Sequence, residues 1–105
     1  MSNTISRTEL RPLLPRITVL EALPEKYFAD GHLPGAHRID VQTAVADAAK
    51  VVADKTAPVV VYCASATCQN SHQAAGALER AGYTNVRVYA EGKAGWTEAG
   101  LPLER

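Results

Sequence analysis

The chain has 105 residues, of which 47% are hydrophobic and 21% charged, so it can build one domain around one substantial core. Eleven basic residues balance eleven acidic ones without runs of either sign, which argues against a nucleic-acid or membrane partner. No apolar stretch approaches the roughly 20 residues of a membrane span, and the N-terminal segment lacks the apolar centre of a signal peptide. We therefore expect a soluble, cytoplasmic protein.

The N-terminal region divides into a polar extension and the start of the domain. Residues 1–15 contain two prolines and are typical of a mobile extension, although a short helix can form over Ser6–Leu14. We place the domain at residues 16–105. Its first strand is predicted at the β-branched segment Ile17–Glu21.

Two helices are predicted between this strand and the next. Pro24 suits the first turn of a short helix that ends by Gly31. Asp40 can cap a second helix, in which apolar residues recur at helical spacing and form one stripe facing the core. The stripe consists of Val41, Ala44, Val45, Ala48 and Val52.

The central strand is predicted at the apolar run Val59–Tyr62, whose lack of alternation is typical of a strand buried on both faces. Asn70 or Ser71 can cap the helix that follows, and Gly82 ends it. Its inward-facing residues are predicted to be Ala74, Ala75 and Leu78. The segment NVRVYA supplies a further strand, and a short helix around Trp96 completes the chain.

This alternation of strands and helices predicts an α/β fold with a mainly parallel sheet and helices on both faces, because crossovers between parallel strands are right-handed. Ligands of such sheets bind beyond the carboxyl ends of the strands. Cys63 directly follows the central strand. It therefore lies where a binding site is expected.

Cys63 and Cys68 are too close in sequence for a useful structural disulfide, since the small loop would constrain little of the unfolded chain. A loop between a parallel strand and a helix directs backbone N–H groups toward one point, and the helix N-terminus adds partial positive charge. Both features favour thiolate over thiol. Cys63 is therefore a candidate nucleophile.

The loop after Cys63 is predicted to bind an anionic substrate through backbone amides and uncharged side chains. No Lys or Arg occurs from Ala64 to Glu79, which excludes a phosphatase that clamps phosphate with arginine. The candidate substrate-binding residues are Ala64, Ser65, Ala66, Thr67, Gln69, Asn70 and Ser71. We interpret His72 as a solvent-facing helix residue, and because the cysteine and histidine spacing fits no compact zinc pattern, we predict no metal and no cofactor.

Three motifs occur in the order in which they are found in a known family. The first is GHLPGA at Gly31–Ala36, the second is VVVYC followed by SHQAAGALERAGY, and the third is VRVYAEGKAGWTEAGLPLE. Together they resemble the rhodanese-like domain family, the single-domain sulfurtransferases, in its Gly-His-hydrophobic-Pro-Gly-Ala motif, its active-site strand, loop and helix, and its C-terminal motif. The resemblance covers the chain from about Ile17 to its end.

The resemblance implies a five-stranded parallel sheet and a cysteine persulfide chemistry. Cys63 occupies the family's nucleophile position and would take a sulfane sulfur from a small donor of the thiosulfate or 3-mercaptopyruvate type. The persulfide would then pass sulfur to a thiol, to cyanide or to a protein acceptor. The N–H groups of the loop would stabilise its negative charge.

The chain departs from the common family pattern in three places. Cys63 lies eight positions before Ser71, two more than usual, and Cys68 belongs to this longer loop. Asn70 replaces the usual basic residue, and the common loop glycine is missing. Where many relatives carry Asp-x-Arg after the first strand, this chain has Glu21–Leu23.

The role of Cys68 stays open at this point. Its thiol could attack a persulfide on Cys63, releasing sulfide and leaving a disulfide; it could be the nucleophile itself; or it could be an incidental loop residue. The missing cation and glycine also permit a catalytically silent module that binds a protein partner. The cysteine pair alone permits a thiol redox or arsenate-type reductase.

Overall fold

A parallel sheet organises the chain, and the computed structural model describes residues 3–14 and 16–105 of it. Within that part the sheet has five strands in the order β1-β5-β4-β2-β3, all of them parallel. They are β1 (Asn3–Thr4), β2 (Thr18–Glu21), β3 (His37–Arg38), β4 (Val59–Tyr62) and β5 (Val86–Tyr89). The α/β fold and the five-stranded parallel sheet are therefore confirmed.

Helices cover both faces of this sheet. They are α1 (Arg7–Leu10) with a 3-10 turn at Arg11–Leu13, α2 (Glu25–Asp30), α3 (Ala44–Val51), α4 (Asn70–Arg80) and α5 (Gly92–Glu98). One core lies between the sheet and α3 and α4, and a second lies between the sheet and residues of α1 and α5. None of the helices in the described ranges is long and apolar enough to cross a membrane.

Strand β4 is buried on both faces, as its unbroken apolar run predicts. Val59 and Val61 join the core beneath α3 and α4, while Val60 and Tyr62 join the opposite core. Each of the four is at most 1% exposed. The strand is therefore a rigid support for the residue that follows it.

The described part of the N-terminal region belongs to the same sheet. Strand β1 pairs with β5, with Asn3 opposite Arg87, and the side chains of Ile5 and Leu10 are buried in the second core. The short helix expected over Ser6–Leu14 is present as α1 and its 3-10 turn. The described residues 3–14 are thus integrated with the sheet, in contrast to the mobile extension that we expected.

The predicted start of α3 was wrong. The helix begins at Ala44, because the carboxylate of Asp47 accepts hydrogen bonds from the backbone N–H of Asp40 at 2.9 Å and the hydroxyl of Thr43 at 2.7 Å. These bonds stabilise a turn in place of a first helical turn. Val45, predicted to face the core, is 37% exposed.

The predicted side-chain cap of α4 was also wrong. Asn70 is the first helical residue, and its amide nitrogen donates to the carbonyl oxygen of Ala22 at 3.1 Å. Ser71 is buried and faces Cys63. Gln69 occupies the cap position without a side-chain hydrogen bond to the helix. The side chains of Asn70 and Ser71 therefore contact Ala22 and Cys63 and do not cap the helix.

Candidate active site

Both cysteines lie in the loop between β4 and α4, at the carboxyl end of the central strand. Cys63 directly follows β4, and only 1% of it is exposed to solvent. Cys68 lies two residues before α4 and is partly exposed. The loop therefore presents one thiol near its surface and covers the other.

The sulfur of Cys63 contacts the backbone of Cys68 and the side chain of Ser71. The Sγ atom of Cys63 lies 3.4 Å from the carbonyl oxygen of Cys68 and 3.5 Å from the hydroxyl oxygen of Ser71. The backbone N–H of Cys68 donates to the carbonyl oxygen of Ser65 at 3.2 Å, which closes a turn. This turn reverses the direction of the loop and brings the backbone of Cys68 against the sulfur of Cys63.

The surroundings lower the pKa of Cys68. Partial burial raises this pKa, but a hydrogen bond from the Cys63 thiol and hydrogen bonds from the backbone N–H groups of Asn70 and Ala64 lower it by more. Such donors stabilise the negatively charged sulfur. Cys68 therefore ionises more readily than a free cysteine.

The surroundings raise the pKa of Cys63. Burial is the main cause, and the hydrogen bond with Cys68 raises the pKa further, while contacts with Ser71 lower it in part. We expected the strand-end cysteine to ionise readily. The structure corrects that expectation, because the sulfur lies in the interior and the loop amides of Ala64 and Asn70 act on Cys68.

The other predicted substrate-binding residues differ in position. The structure leaves four of them exposed on the loop: Ala64, Ala66, Thr67 and Gln69. The hydroxyl oxygens of Ser65 and Thr67 are 3.1 Å apart. The side chain of Asn70 points toward Ala22, and that of Ser71 points toward Cys63. His72 is exposed, as predicted.

Helix α5 anchors this loop, which the sequence analysis did not identify. The backbone N–H groups of Lys93 and Ala94 donate to the carbonyl oxygens of Cys63 and Ala64, both at 2.9 Å. Gly92 makes the close approach possible, since a Cβ atom there would lie 2.7 Å from the carbonyl oxygen of Cys63. The GKAGW segment therefore holds the first residues of the loop in place.

A buried charge network lies beneath the loop and was also missed. The carboxylate of Glu21, with no exposed surface, accepts from the hydroxyl of Tyr62 at 2.6 Å and is paired with the ammonium of Lys93 at 3.1 Å. Burial and the negative charge of Glu21 raise the pKa of Tyr62, so its hydroxyl keeps its proton. The only sequence signal was the departure at Glu21–Leu23 from the family's Asp-x-Arg.

The cations nearest the loop are already engaged. Lys93 contacts Glu21 and also donates to the carbonyl oxygen of Tyr27 at 2.7 Å. Arg7 contacts Glu91 at 3.0 Å and the carbonyl oxygen of Gly95 at 3.1 Å. A cavity of about 320 Å³ beside the loop is lined by Arg7, Ser65, Ala66, Thr67, Glu91, Ala94, Gly95 and Glu98. The positive charge of Arg7 in this cavity is therefore offset by the negative charge of Glu91.

The described residues bring together no group of three or more His, Cys, Asp or Glu side chains able to hold a metal ion. The groups that the loop does bring together are two thiols, the hydroxyls of Ser65, Thr67 and Ser71, and backbone N–H groups. The two thiols lie at the carboxyl end of a parallel strand, where ligands of such sheets bind.

Comparison with known sequences identifies the family. The Rhodanese-like domain family matches residues 6–99. This chain belongs to that family, as the three motifs predicted.

Solved structures of similar fold include sulfurtransferases. Human single-domain sulfurtransferase TSTD1 is 25% identical, with a TM-score of 0.78 over 93% of this chain and 97% of that chain. A thiosulfate sulfurtransferase from Pseudomonas aeruginosa is also 25% identical, with a TM-score of 0.86 over 99% of this chain but only 20% of its own.

A curated relative has a different description. The HTH-type transcriptional regulator Rv0324 of Mycobacterium tuberculosis is 29% identical over 104 residues, which is 97% of this chain and 45% of the regulator. The chain thus spans less than half the length of that relative.

Proposed function

We propose that this domain is a sulfurtransferase that moves a sulfane sulfur from a small donor to a nucleophilic acceptor through a cysteine persulfide. The observation that carries this proposal is the pair Cys63 and Cys68 in the loop at the carboxyl end of β4. Membership of the rhodanese-like family and the two sulfurtransferases of similar fold support it.

The chemistry takes two displacements at sulfur. A cysteine thiolate attacks the sulfane sulfur of the donor; the bond to the donor breaks, and sulfite leaves if the donor is thiosulfate. The resulting persulfide is then attacked at its outer sulfur by an acceptor thiol, or by another nucleophile, and the cysteine thiolate is restored. Neither displacement needs a group beyond this chain, its donor and its acceptor.

The loop suits a persulfide that carries one negative charge. The backbone N–H groups of Ala64 and Asn70 already act on the sulfur of Cys68, and such donors stabilise an anion on sulfur as they do on oxygen. The engaged cations beside the loop offer little further attraction. Small donors with low negative charge are therefore favoured over dianionic thiosulfate.

A protein-binding role is the second candidate, and one observation favours it. The relative from Mycobacterium tuberculosis is described as a transcriptional regulator. A domain of this kind could bind a protein partner without catalysing a reaction, or it could transfer its sulfur to that partner. Loss of the loop cation and glycine is compatible with the silent module.

Mass spectrometry of the intact protein tests the sulfurtransferase proposal. After exposure to thiosulfate, 3-mercaptopyruvate or an organic persulfide, wild type should gain sulfur or deliver it to an added thiol. The double variant Cys63→Ser/Cys68→Ser should do neither. Wild type that takes sulfur from none of these donors and delivers none would leave the protein-binding role as the better account.

A further inference from the structure

We propose, on the basis of the sulfurtransferase function above, that Cys68 receives the sulfur and that Cys63 resolves the persulfide to a Cys63–Cys68 disulfide with release of sulfide. The two cysteines thus have separate and ordered roles. The domain then reduces sulfane sulfur to sulfide, and an external thiol reductant restores it.

Access is the first reason for this order. A donor arriving from solvent meets the partly exposed Cys68, whereas Cys63 is 1% exposed. The carbonyl group of Cys68 and the hydroxyl of Ser71 lie against the Cys63 sulfur at 3.4 and 3.5 Å. Direct attack by Cys63 on a donor would require the loop to move away.

Protonation is the second reason. A thiolate, not a thiol, attacks the donor, and the contacts described above lower the pKa of Cys68 and raise that of Cys63. The hydrogen bond from the Cys63 thiol to the carbonyl oxygen of Cys68 at 3.4 Å favours the same distribution, because it keeps the proton on Cys63. The resting pair therefore has its nucleophile on the outside.

The contact between the two residues supplies the third reason, because the resolving cysteine already touches the residue that would carry the persulfide. The Sγ atom of Cys63 already lies 3.4 Å from the carbonyl oxygen of Cys68, to which its thiol donates a hydrogen bond. As the Cys63 proton is lost, the hydroxyl of Ser71 at 3.5 Å can donate to the developing thiolate. Ser71 is then a positioning residue for the second step.

The sulfur atom passes through two successive displacements. The Cys68 thiolate forms a bond to the sulfane sulfur of the donor, whose bond to its leaving group breaks. The Cys63 sulfur then bonds to the Cys68 Sγ atom, the bond from that Sγ to the outer sulfur breaks, and the outer sulfur leaves as hydrosulfide with the Cys63 proton. Two cysteines lose two electrons to the sulfur, and a dithiol or two small thiols return them.

Single cysteine variants separate the two roles. With thiosulfate or an organic persulfide and no added thiol, wild type should release sulfide and end as the disulfide. Cys63→Ser should keep the sulfur on Cys68, and Cys68→Ser should load about tenfold more slowly or worse. The matched variant Cys63→Ala should behave as Cys63→Ser does. Loading of Cys68→Ser at the wild-type rate, or wild type that keeps its sulfur without forming the disulfide, would overturn the assignment.

Alkylation of the wild-type protein tests which of the two cysteines is more reactive, and it needs no sulfur donor and no substitution. Limiting iodoacetamide followed by peptide mass spectrometry should find Cys68 modified about tenfold faster than Cys63. Equal or inverted rates contradict the assigned roles even if sulfur transfer is observed. Conversely, faster alkylation of Cys68 together with no sulfur uptake from any donor would refute the sulfurtransferase function while leaving the order of thiol reactivity intact.

Discussion

The ammonium group of Lys93 lies 3.1 Å from the carboxylate of Glu21, a side chain with no exposed surface. The backbone N–H of the same lysine donates to the carbonyl oxygen of Cys63 at 2.9 Å. One residue of α5 therefore joins a buried ion pair to the first residue of the loop. Leu23 stands where many members of the family have arginine. In this chain the cation beside Glu21 is instead Lys93, from a different part of the sequence.

Substitution of this lysine should destabilise the fold. Lys93→Met leaves the carboxylate of Glu21 buried without its cation, and removal of one partner of a buried pair typically costs about 3–5 kcal/mol of unfolding free energy. Chemical denaturation measures the loss. Lys93→Arg, which keeps the charge, should cost less, and adding Glu21→Gln to Lys93→Met should recover part of the stability. Equal stability of Lys93→Met and wild type would contradict the importance of the pair.

Gly92→Ala should damage the loop more than a comparable change elsewhere. Gly92 has φ +69° and a Cβ atom would lie 2.7 Å from the carbonyl oxygen of Cys63; Gly100 has φ +76° with no such neighbour within 4 Å. Both alanines incur backbone strain of about 1–3 kcal/mol, but only Gly92→Ala displaces the loop. Sulfur uptake should therefore fall in Gly92→Ala and persist in Gly100→Ala. Equal uptake by the two variants would count against α5 as the anchor.

A cation introduced at position 70 should improve the use of thiosulfate. Asn70→Lys restores the basic residue that the family commonly has there, and a charge near 4 Å from an anion gains about 1 kcal/mol in bulk water and about 4 kcal/mol at the effective dielectric near a protein surface. We expect kcat/KM for thiosulfate to rise about tenfold or more. Asn70→Met is the matched control, since it also loses the hydrogen bond to Ala22 but adds no charge.

The salt dependence of that variant provides the check. A gain due to charge should shrink as ionic strength rises, because salt screens exposed charges. If Asn70→Met gains as much as Asn70→Lys, the effect comes from the freed loop and the electrostatic explanation is wrong.

The pH dependence of thiol reactivity follows from the two pKa shifts. Because the pKa of Cys68 is lowered, its thiolate persists to lower pH, and its alkylation rate should reach half its maximum below the pH at which that of a free cysteine does. The raised pKa of Cys63 places its midpoint above that pH. Peptide mass spectrometry across a pH series measures both midpoints in one sample, and a Cys63 midpoint below that of Cys68 would contradict the assignment.

Local sequence patterns predicted the features that depend on neighbouring residues. The unbroken run Val59–Tyr62 identified the central strand, and Ala74, Ala75 and Leu78 were correctly placed on the inner face of α4. Proline and glycine positions likewise bounded α2. These properties follow from burial and backbone conformation close along the chain.

Contacts between distant residues were not predictable in this way. Lys93 is a polar residue in a glycine-rich helix, and nothing in its surroundings indicates a partner at Glu21. The predicted start of α3 was wrong because the carboxylate of Asp47 accepts a hydrogen bond from the backbone N–H of Asp40. A search for capping residues does not consider a bond of this kind. The ionisation of the cysteines was likewise misjudged, because it depends on which sulfur the fold buries.

Pairing of β1 with β5 has a consequence for the order of folding. Asn3 lies opposite Arg87, so this edge of the sheet joins residues from nearly opposite ends of the chain, and such a distant closure costs more entropy than a local one. During synthesis, the strand that is made first must wait for its partner to be made. Once β5 is made and until β1 pairs with it, the edge of β5 presents unpaired backbone groups, which are a template for association with other chains. Changes in residues 3–5 should thus affect the yield of monomeric protein before they affect its chemistry.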